Sequence, residues 1–413
     1  MQTRLSTSFQ HRAEGQEAEA ILRSCVHCGF CNATCPTYQL LGDELDGPRG
    51  RIYLIKQLLE GQAVSQATQQ HLDRCLTCRA CETTCPSGVQ YGRLLDIGRQ
   101  QMEHQAPRTW LQRGLRWLLC AILPYPWRFQ SLLRLGQGLR PILPTALRRK
   151  LPARQCPSAG PPPAHANSHP RKMLALAGCV QSVATPRTHE AAVRILDTLG
   201  IALITAPQAG CCGAMPQHLS AQEQALGLMR RNIDAWWPYL EQGAEAIITT
   251  ASGCGVMLQD YGHLLQHDVQ YAAKAARVSA LAQDISTILA QQPLAALSPF
   301  KTTHPLRVAF HAPCTLQHGQ RLPGQVETLL QHLGYDLTPV VDSHLCCGSA
   351  GTYSLLQPQL SQQLLQQKLA ALQQPQPEVI VTANIGCQLH LASQAGVPVM
   401  HWLELLTSQR REC

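Results

Sequence analysis

A chain of 413 residues, 45% of them hydrophobic, has material for roughly two to three domains with buried cores. Its 19 cysteines stand in clusters, and the opening "MQTRLSTSFQHRAEGQEAEAILRSC" holds no apolar run of the signal-peptide kind. A secreted disulfide framework is therefore not expected, and clustered thiols in a reducing, cytoplasmic setting are expected to hold metal. The net charge of +8 is local: from His104 to His189 there are thirteen Lys or Arg and no Asp or Glu, which leaves −5 for the rest.

The first part, 1–103, carries "CVHCGFCNATCP" at 25–36 and "CLTCRACETTCP" at 75–86. Both read Cys-x-x-Cys-x-x-Cys-x-x-x-Cys-Pro. Thiolates are soft donors suited to iron–sulfur clusters or zinc, and this spacing favours two [4Fe-4S] clusters. Three cysteines at every third position wrap one face of a cube, while the fourth, before proline, points away. In two-cluster ferredoxins that fourth cysteine ligates the other cluster. Carried over here, one cluster takes Cys25, Cys28, Cys31 and Cys85, and the other Cys75, Cys78, Cys81 and Cys35. The 39 residues between Cys35 and Cys75 include a predicted helix. Pro48 starts it, Ile52, Leu54, Ile55, Leu58 and Leu59 form its stripe, and Gly61 stops it. Arg49, Arg51 and Lys56 on that helix either raise the potential of a nearby cluster or form a solvated face, the latter being the commoner fate of surface charge.

Residues 104–155 form a basic connector rich in Trp and Leu. Its longest charge-free stretch, Trp117 to Trp127, is too short to span a bilayer. Aromatic residues beside arginines suit a peripheral site at a membrane surface, and a partner-docking surface is the alternative. No nucleic-acid motif is present. Residues 156–170, "CPSAGPPPAHANSHP", read as a stiff linker.

Two repeats follow, at 171–300 and 301–413. Cys179, Cys211, Cys212 and Cys254 in the first match Cys314, Cys346, Cys347 and Cys387 in the second. The first step is 32 residues in both copies, and the last is 42 in one and 40 in the other. Apolar runs of strand length ("MLALAGC", "IALITAP", "AIITTAS"; then "RVAFHAP", "DLTPVV", "VIVTAN") alternate with helical patterns. This predicts βαβ units, parallel sheets and cysteines at the carboxyl edges. Adjacent cysteines followed by Gly213 or Gly348 suggest a tight turn that brings thiols to a bound group, because two such side chains are hard to bury together on an extended chain. Each set can hold a cluster or zinc, or be simply buried thiols. His311, His318 and His344 lie nearby, and a hydrogen-bonded structural role is the commoner one for such residues. Cys120, Cys156 and Cys413 fall outside the motifs. No Gly-x-Gly-x-x-Gly loop is present, so no flavin is expected in this chain.

These segments carry a resemblance. The spaced runs with a helix between them resemble the helical ferredoxin modules of respiratory enzymes. The repeats resemble the CCG domain shared with the heterodisulfide reductase catalytic subunit, although "ASGC" and "NIGC" lack the first cysteine of that motif's final Cys-x-x-Cys. The stretches "CVHCGFCNATCPTYQLLGDELDGPRGRIYLIKQ" and "CLTCRACETTCPSGVQYGRLLDIGR" are similar to the iron–sulfur subunit family of bacterial glycolate oxidase. The resemblance implies an α+β multi-domain chain, an α-helical ferredoxin module followed by two α/β CCG repeats, working as an electron carrier with no substrate site of its own. It also implies an FAD-containing glycolate oxidase flavoprotein partner, a second flavin-binding-like subunit, and electrons leaving for membrane quinone from the cytoplasmic face. The CCG repeats leave room for one or two further clusters. The rival readings are a heterodisulfide-reductase-like thiol/disulfide enzyme and a zinc-bound scaffold.

Overall fold

The structure, a computed structural model, describes residues 1–144, 148, 151–155 and 169–408. Most of the expected linker, with Cys156 and Cys413, lies outside the described residues.

In the N-terminal part, helices Ala13–Ser24, Pro48–Leu59 and Tyr91–Gln105 enclose a core that includes Leu22, Ile55, Leu94 and Leu95. Pro48 occupies the first turn, where its missing N–H costs nothing, and the stripe from Ile52 to Leu59 is buried as expected. Each of those side chains contributes about 1.5–3 kcal/mol before ordering entropy is charged against it. Gly98 lets two helices meet closely, since a Cβ there would stand 2.7 Å from Ile55 Cγ1.

Helices Trp110–Ile122 and Pro126–Gly138 form a hairpin next. Its first helix is oriented with its apolar side out. Trp110, Leu111, Leu115, Trp117 and Leu118 are exposed, whereas Leu119 and Cys120 are buried. Arg116 on the inner side reaches Asp73 at 3.1 Å, and Arg108 pairs with both Asp73 and Glu103. These two arginines fasten the connector to the ferredoxin part.

Two four-stranded parallel sheets complete the chain. Strands β1 (Arg171–Leu176), β2 (Ile201–Ile204), β3 (Ile247–Thr249) and β4 (Ala282–Asp284) lie in the order β2-β1-β3-β4. Strands β5 (Arg307–His311), β6 (Asp336–Leu337), β7 (Val379–Thr382) and β8 (Val399–His401) repeat it as β6-β5-β7-β8. The central pairs are in matching register, Leu174 beside Ile247 and Val308 beside Val379. The sequence pattern showed three strands per repeat. β4 and β8 are too short for a periodicity signal, and Pro339 cuts the expected "DLTPVV" strand to two residues.

The repeats share one core. Ile195, Leu196, Ile201 and Ile248 of the first pack in a single cluster with Val308, Leu330, Val381 and Trp402 of the second. His401 pins them together: its Nε2–H donates to Thr250 O at 2.8 Å and its Nδ1 accepts from Leu403 N at 3.2 Å. The bond accepted at Nδ1 needs a neutral ring, and burial holds its pKa down at about 3.

Candidate metal centres

In both cysteine runs the backbone turns left-handed twice between thiols. His27 and Gly29 have φ of 60° and 84° in the first, and Thr77 and Arg79 have 52° and 58° in the second. Three of these four residues carry side chains, and such conformations persist in functional sites because their surroundings impose them. The turns fold each run around a common centre. Cys25, Cys28, Cys31 and Cys85 line one cavity, which Arg49 and Phe30 also border. Cys35, Cys75 and Cys78 line a second, with Arg51 and Tyr91. Cys81 borders both, and the thiols it interacts with electrostatically are Cys78, Cys75 and Cys35, of the second set. Cys28 is exposed and lies between exposed Val26 and Phe30, whereas the second set is sunk in the protein.

The donor chemistry fits a soft metal group. Burial pushes the Cys31 thiol up to about 11 and raises Cys78 and Cys81 well above the ordinary range. As thiolates these side chains need positive charge beside them, which a cluster supplies while their protons leave. Hydrogen-bond donors already point at sulfur. Tyr91 OH donates to Cys75 Sγ at 3.6 Å, and the Thr77 amide reaches the same sulfur at 3.5 Å.

Arg51 departs from the solvated-face expectation. It is 1% exposed, donates to Thr37 Oγ1 at 3.1 Å, reaches Cys35 Sγ at 4.0 Å, and pairs with buried Asp46 at 3.3 Å. Arg74 and His71 complete the shell around Asp46. Arg49 and Lys56 make ordinary pairs with Glu44 and Glu60.

The repeats build two further thiol groups at the carboxyl edges of their sheets. Cys179, Cys211, Cys212 and Cys254 form a chain of sulfur contacts. Cys314 Sγ lies 3.9 Å from Cys346 Sγ, and Cys346 continues through Cys347 to Cys387. Both members of each adjacent pair are buried, contrary to the expectation for an extended chain. Here the chain is not extended. Gly213 and Gly348 sit at φ of 88° and 86°, and a Cβ at Gly348 would come within 2.6 Å of Ser361 O. The Gly213 and Gly348 amides donate to Cys211 and Cys346 Sγ at 3.5 and 3.4 Å.

Contacts run from each group of thiols to the next. Cys81 links the two ferredoxin-like cavities. Cys78 sits beside Cys314, and both pack with Leu76, Cys346 and Tyr353. The two repeat sites meet where Ser252 Oγ and Thr315 Oγ1 bond at 2.7 Å and the Gly253 amide donates to Asn384 Oδ1 at 3.4 Å. Cys120, outside every motif, lies near Cys211 beneath the hairpin, packed among Leu119, Leu219 and Met215. His318 is a structural link: one ring nitrogen bonds Thr83 Oγ1 at 2.9 Å and the other bonds His344 O at 3.2 Å.

Comparison with known proteins agrees with this layout. A 4Fe-4S dicluster domain family matches residues 21–89, and a cysteine-rich domain family matches 173–259 and 308–392. The glycolate oxidase iron-sulfur subunit of Escherichia coli (strain K12) is 54% identical over 406 residues, which is 98% of each chain. The probable glycolate oxidase iron-sulfur subunit of Bacillus subtilis (strain 168) is 29% identical over 94% of this chain and 91% of its own. Lactate utilization protein A of Bacillus velezensis is 29% identical over 56% of this chain and 97% of its own.

Proposed function

The chain belongs to the glycolate oxidase iron–sulfur subunit family, and from that premise we propose that it carries electrons from a flavoprotein oxidising glycolate, or a related 2-hydroxy acid, toward membrane quinone. That it is an electron-transferring iron–sulfur subunit follows from the family. The observation supporting a through-going path is the junction of Cys78 with Cys314, where a ferredoxin-type thiol set abuts a repeat set, both residues packed against one buried cluster.

In this reading Cys25, Cys28, Cys31 and Cys85 hold one [4Fe-4S] cluster and Cys75, Cys78, Cys81 and Cys35 hold the other. The repeat cysteines hold further iron–sulfur groups. Clusters bound at such thiolates exchange electrons singly, as splitting a flavin's electron pair requires. The protein excludes water from the inner thiols and sets local charge through Arg51, Lys368 and amide N–H groups. In this reading the flavoprotein donor docks over exposed Cys28, between exposed Val26 and Phe30, and a second flavin-binding-like subunit joins the complex.

Rapid mixing of the anaerobic complex with glycolate tests this reading. Flavin bleaching should be followed by loss of the broad iron–sulfur absorbance in this chain, and then by quinone reduction. Flavin turnover that reduces quinone while that absorbance stays fully oxidised would remove the chain from the path.

The hairpin is the proposed membrane contact. No helix among the described residues is long and apolar enough to cross a bilayer, which fits a peripheral attachment. Exposed Trp110, Trp117, Trp127, Leu132 and Leu135 form an outward apolar surface, and Arg113, Arg128, Arg134 and Arg140 are exposed beside it. Such a surface suits insertion at headgroup depth. Replacing Arg113, Arg128 and Arg134 by Gln should weaken binding to anionic vesicles about a hundredfold, since each basic residue contributes about 1 kcal/mol there. Unchanged co-sedimentation with vesicles would assign the surface to a protein partner. Arg116 is unsuitable for this test because it is committed to Asp73.

A further inference from the structure

The two repeats are built alike, but their sites are not. Three residues before the first cysteine of each repeat, the strand ends in Leu176 in one copy and His311 in the other. Leu176 is buried and packs in one cluster with Cys212. His311 is 2% exposed, and a ring nitrogen lies within 4.8 Å of both Cys347 Sγ and Cys387 Sγ, which are within the same distance of each other. Its Nε2 has no hydrogen-bond partner.

A buried imidazole with an unpartnered nitrogen is costly, and native structures rarely tolerate one without a role. The neighbouring groups do not supply that role. Lys368 Nζ, buried beside the thiols, donates to Asp342 O at 2.8 Å and is already engaged. The His390 ring bonds Ser361 Oγ at 3.2 Å, and Asn384 Nδ2 donates to Cys387 Sγ at 3.5 Å. The second site thus has polar donors around its sulfurs and one nitrogen lone pair left over. In the first copy the positions of His311, Lys368 and His390 are held by Leu176, Ile233 and Met257.

We propose that His311 is a nitrogen ligand of the iron–sulfur group at the second repeat, making that site a mixed imidazole–thiolate centre while the first repeat stays all-thiolate. The inference rests on the reading that this repeat holds iron. Because the second repeat keeps all four cysteines, an imidazole bound to the iron displaces one of them. A neutral imidazole in place of that anionic thiolate puts less negative charge on the iron, so the reduced form gains relative to an all-cysteine site. The second repeat would therefore hold the more easily reduced of the two repeat centres. It adjoins Cys78, at the point where an electron leaving the ferredoxin part meets the repeats.

The test is pulsed EPR on the full chain, purified anaerobically and poised through reduction, with iron and zinc counted per chain. A centre beyond the two ferredoxin-type signals should show strong 14N coupling that becomes 15N coupling when histidine alone is labelled. This measurement needs no substitution and so does not depend on a variant folding. His311→Leu, which installs the residue of the first repeat, should abolish the coupling and lower that centre's midpoint potential, leaving the ferredoxin-type signals in place. An additional centre without histidine nitrogen coupling overturns the ligation but keeps iron in the repeat. About eight irons per chain with no further centre, or stoichiometric zinc, overturns the underlying reading and the inference with it.

Discussion

Cys78→Ser is expected to remove about four irons per chain and to cut glycolate-driven quinone reduction by at least about a hundredfold, while glycolate still bleaches the partner's flavin. The iron loss follows from donor chemistry: a serine hydroxyl is a hard donor, and a four-iron cluster needs four soft ones. The rate loss follows from position. Cys78 is partly buried and lies beside Cys314, so it belongs to the set that joins the ferredoxin part to the repeats. Cys120→Ser is the appropriate comparison. It also alters a buried cysteine, one lying near Cys211, yet it belongs to none of the four sets and should leave iron content and turnover close to wild type. Normal quinone reduction by the Cys78 variant would mean that electrons bypass this set, and the through-going path would have to be abandoned.

Much of this arrangement was legible because its signals are local or repeated. Eight cysteines in two identically spaced runs declare their chemistry within twelve residues each. The repeats announce themselves by a shared step of 32 residues, and strands preceding the cysteines point to sites at a sheet edge. What stayed hidden depends on contacts between distant segments. Cys78 and Cys314 are far apart in sequence, and nothing near either one signals the other. The outward apolar side of Trp110–Ile122 was suggested by its mix of Trp and Arg and not by helix patterning, because periodicity reports a stripe and not its direction. The shared core of the repeats was equally invisible, since Trp402 and Ile195 stand far apart in sequence and meet only in the folded core. The contrast between His311 and Leu176 was visible in the aligned repeats. It acquired meaning only when the ring was found buried against Cys347 and Cys387.

Arg51 is the sharpest case of a misleading local signal, and it carries the second large expected effect. A lone arginine on a helix bearing other charges looks solvated, yet this one is enclosed with Asp46, Thr37 and Cys35. Two separate consequences of losing it can be distinguished. Arg51→Met leaves Asp46 buried with only Arg74 and His71 beside it, and breaking a buried pair in this way costs about 3–5 kcal/mol. A lower thermal midpoint should report this, at the smaller end of that range because Arg74 remains at 2.7 Å. The same substitution removes a positive charge next to Cys35 and Cys75, so the cluster held there should become harder to reduce. Adding Asp46→Asn to Arg51→Met removes the buried carboxylate that has lost one of its partners and should restore part of the stability. The potential should recover only in part: loss of the Asp46 negative charge raises it again, but the guanidinium that reaches Cys35 Sγ is still missing. Arg51→Lys gives the complementary pattern: it keeps the charge and most of the potential but loses the fork that spans Thr37, Asp46 and His71 O. Thermal unfolding and EPR-monitored redox titration of these variants separate the two roles. If the potential tracked stability across all three, Arg51 would be a structural residue alone, with no electrostatic influence on the neighbouring cluster.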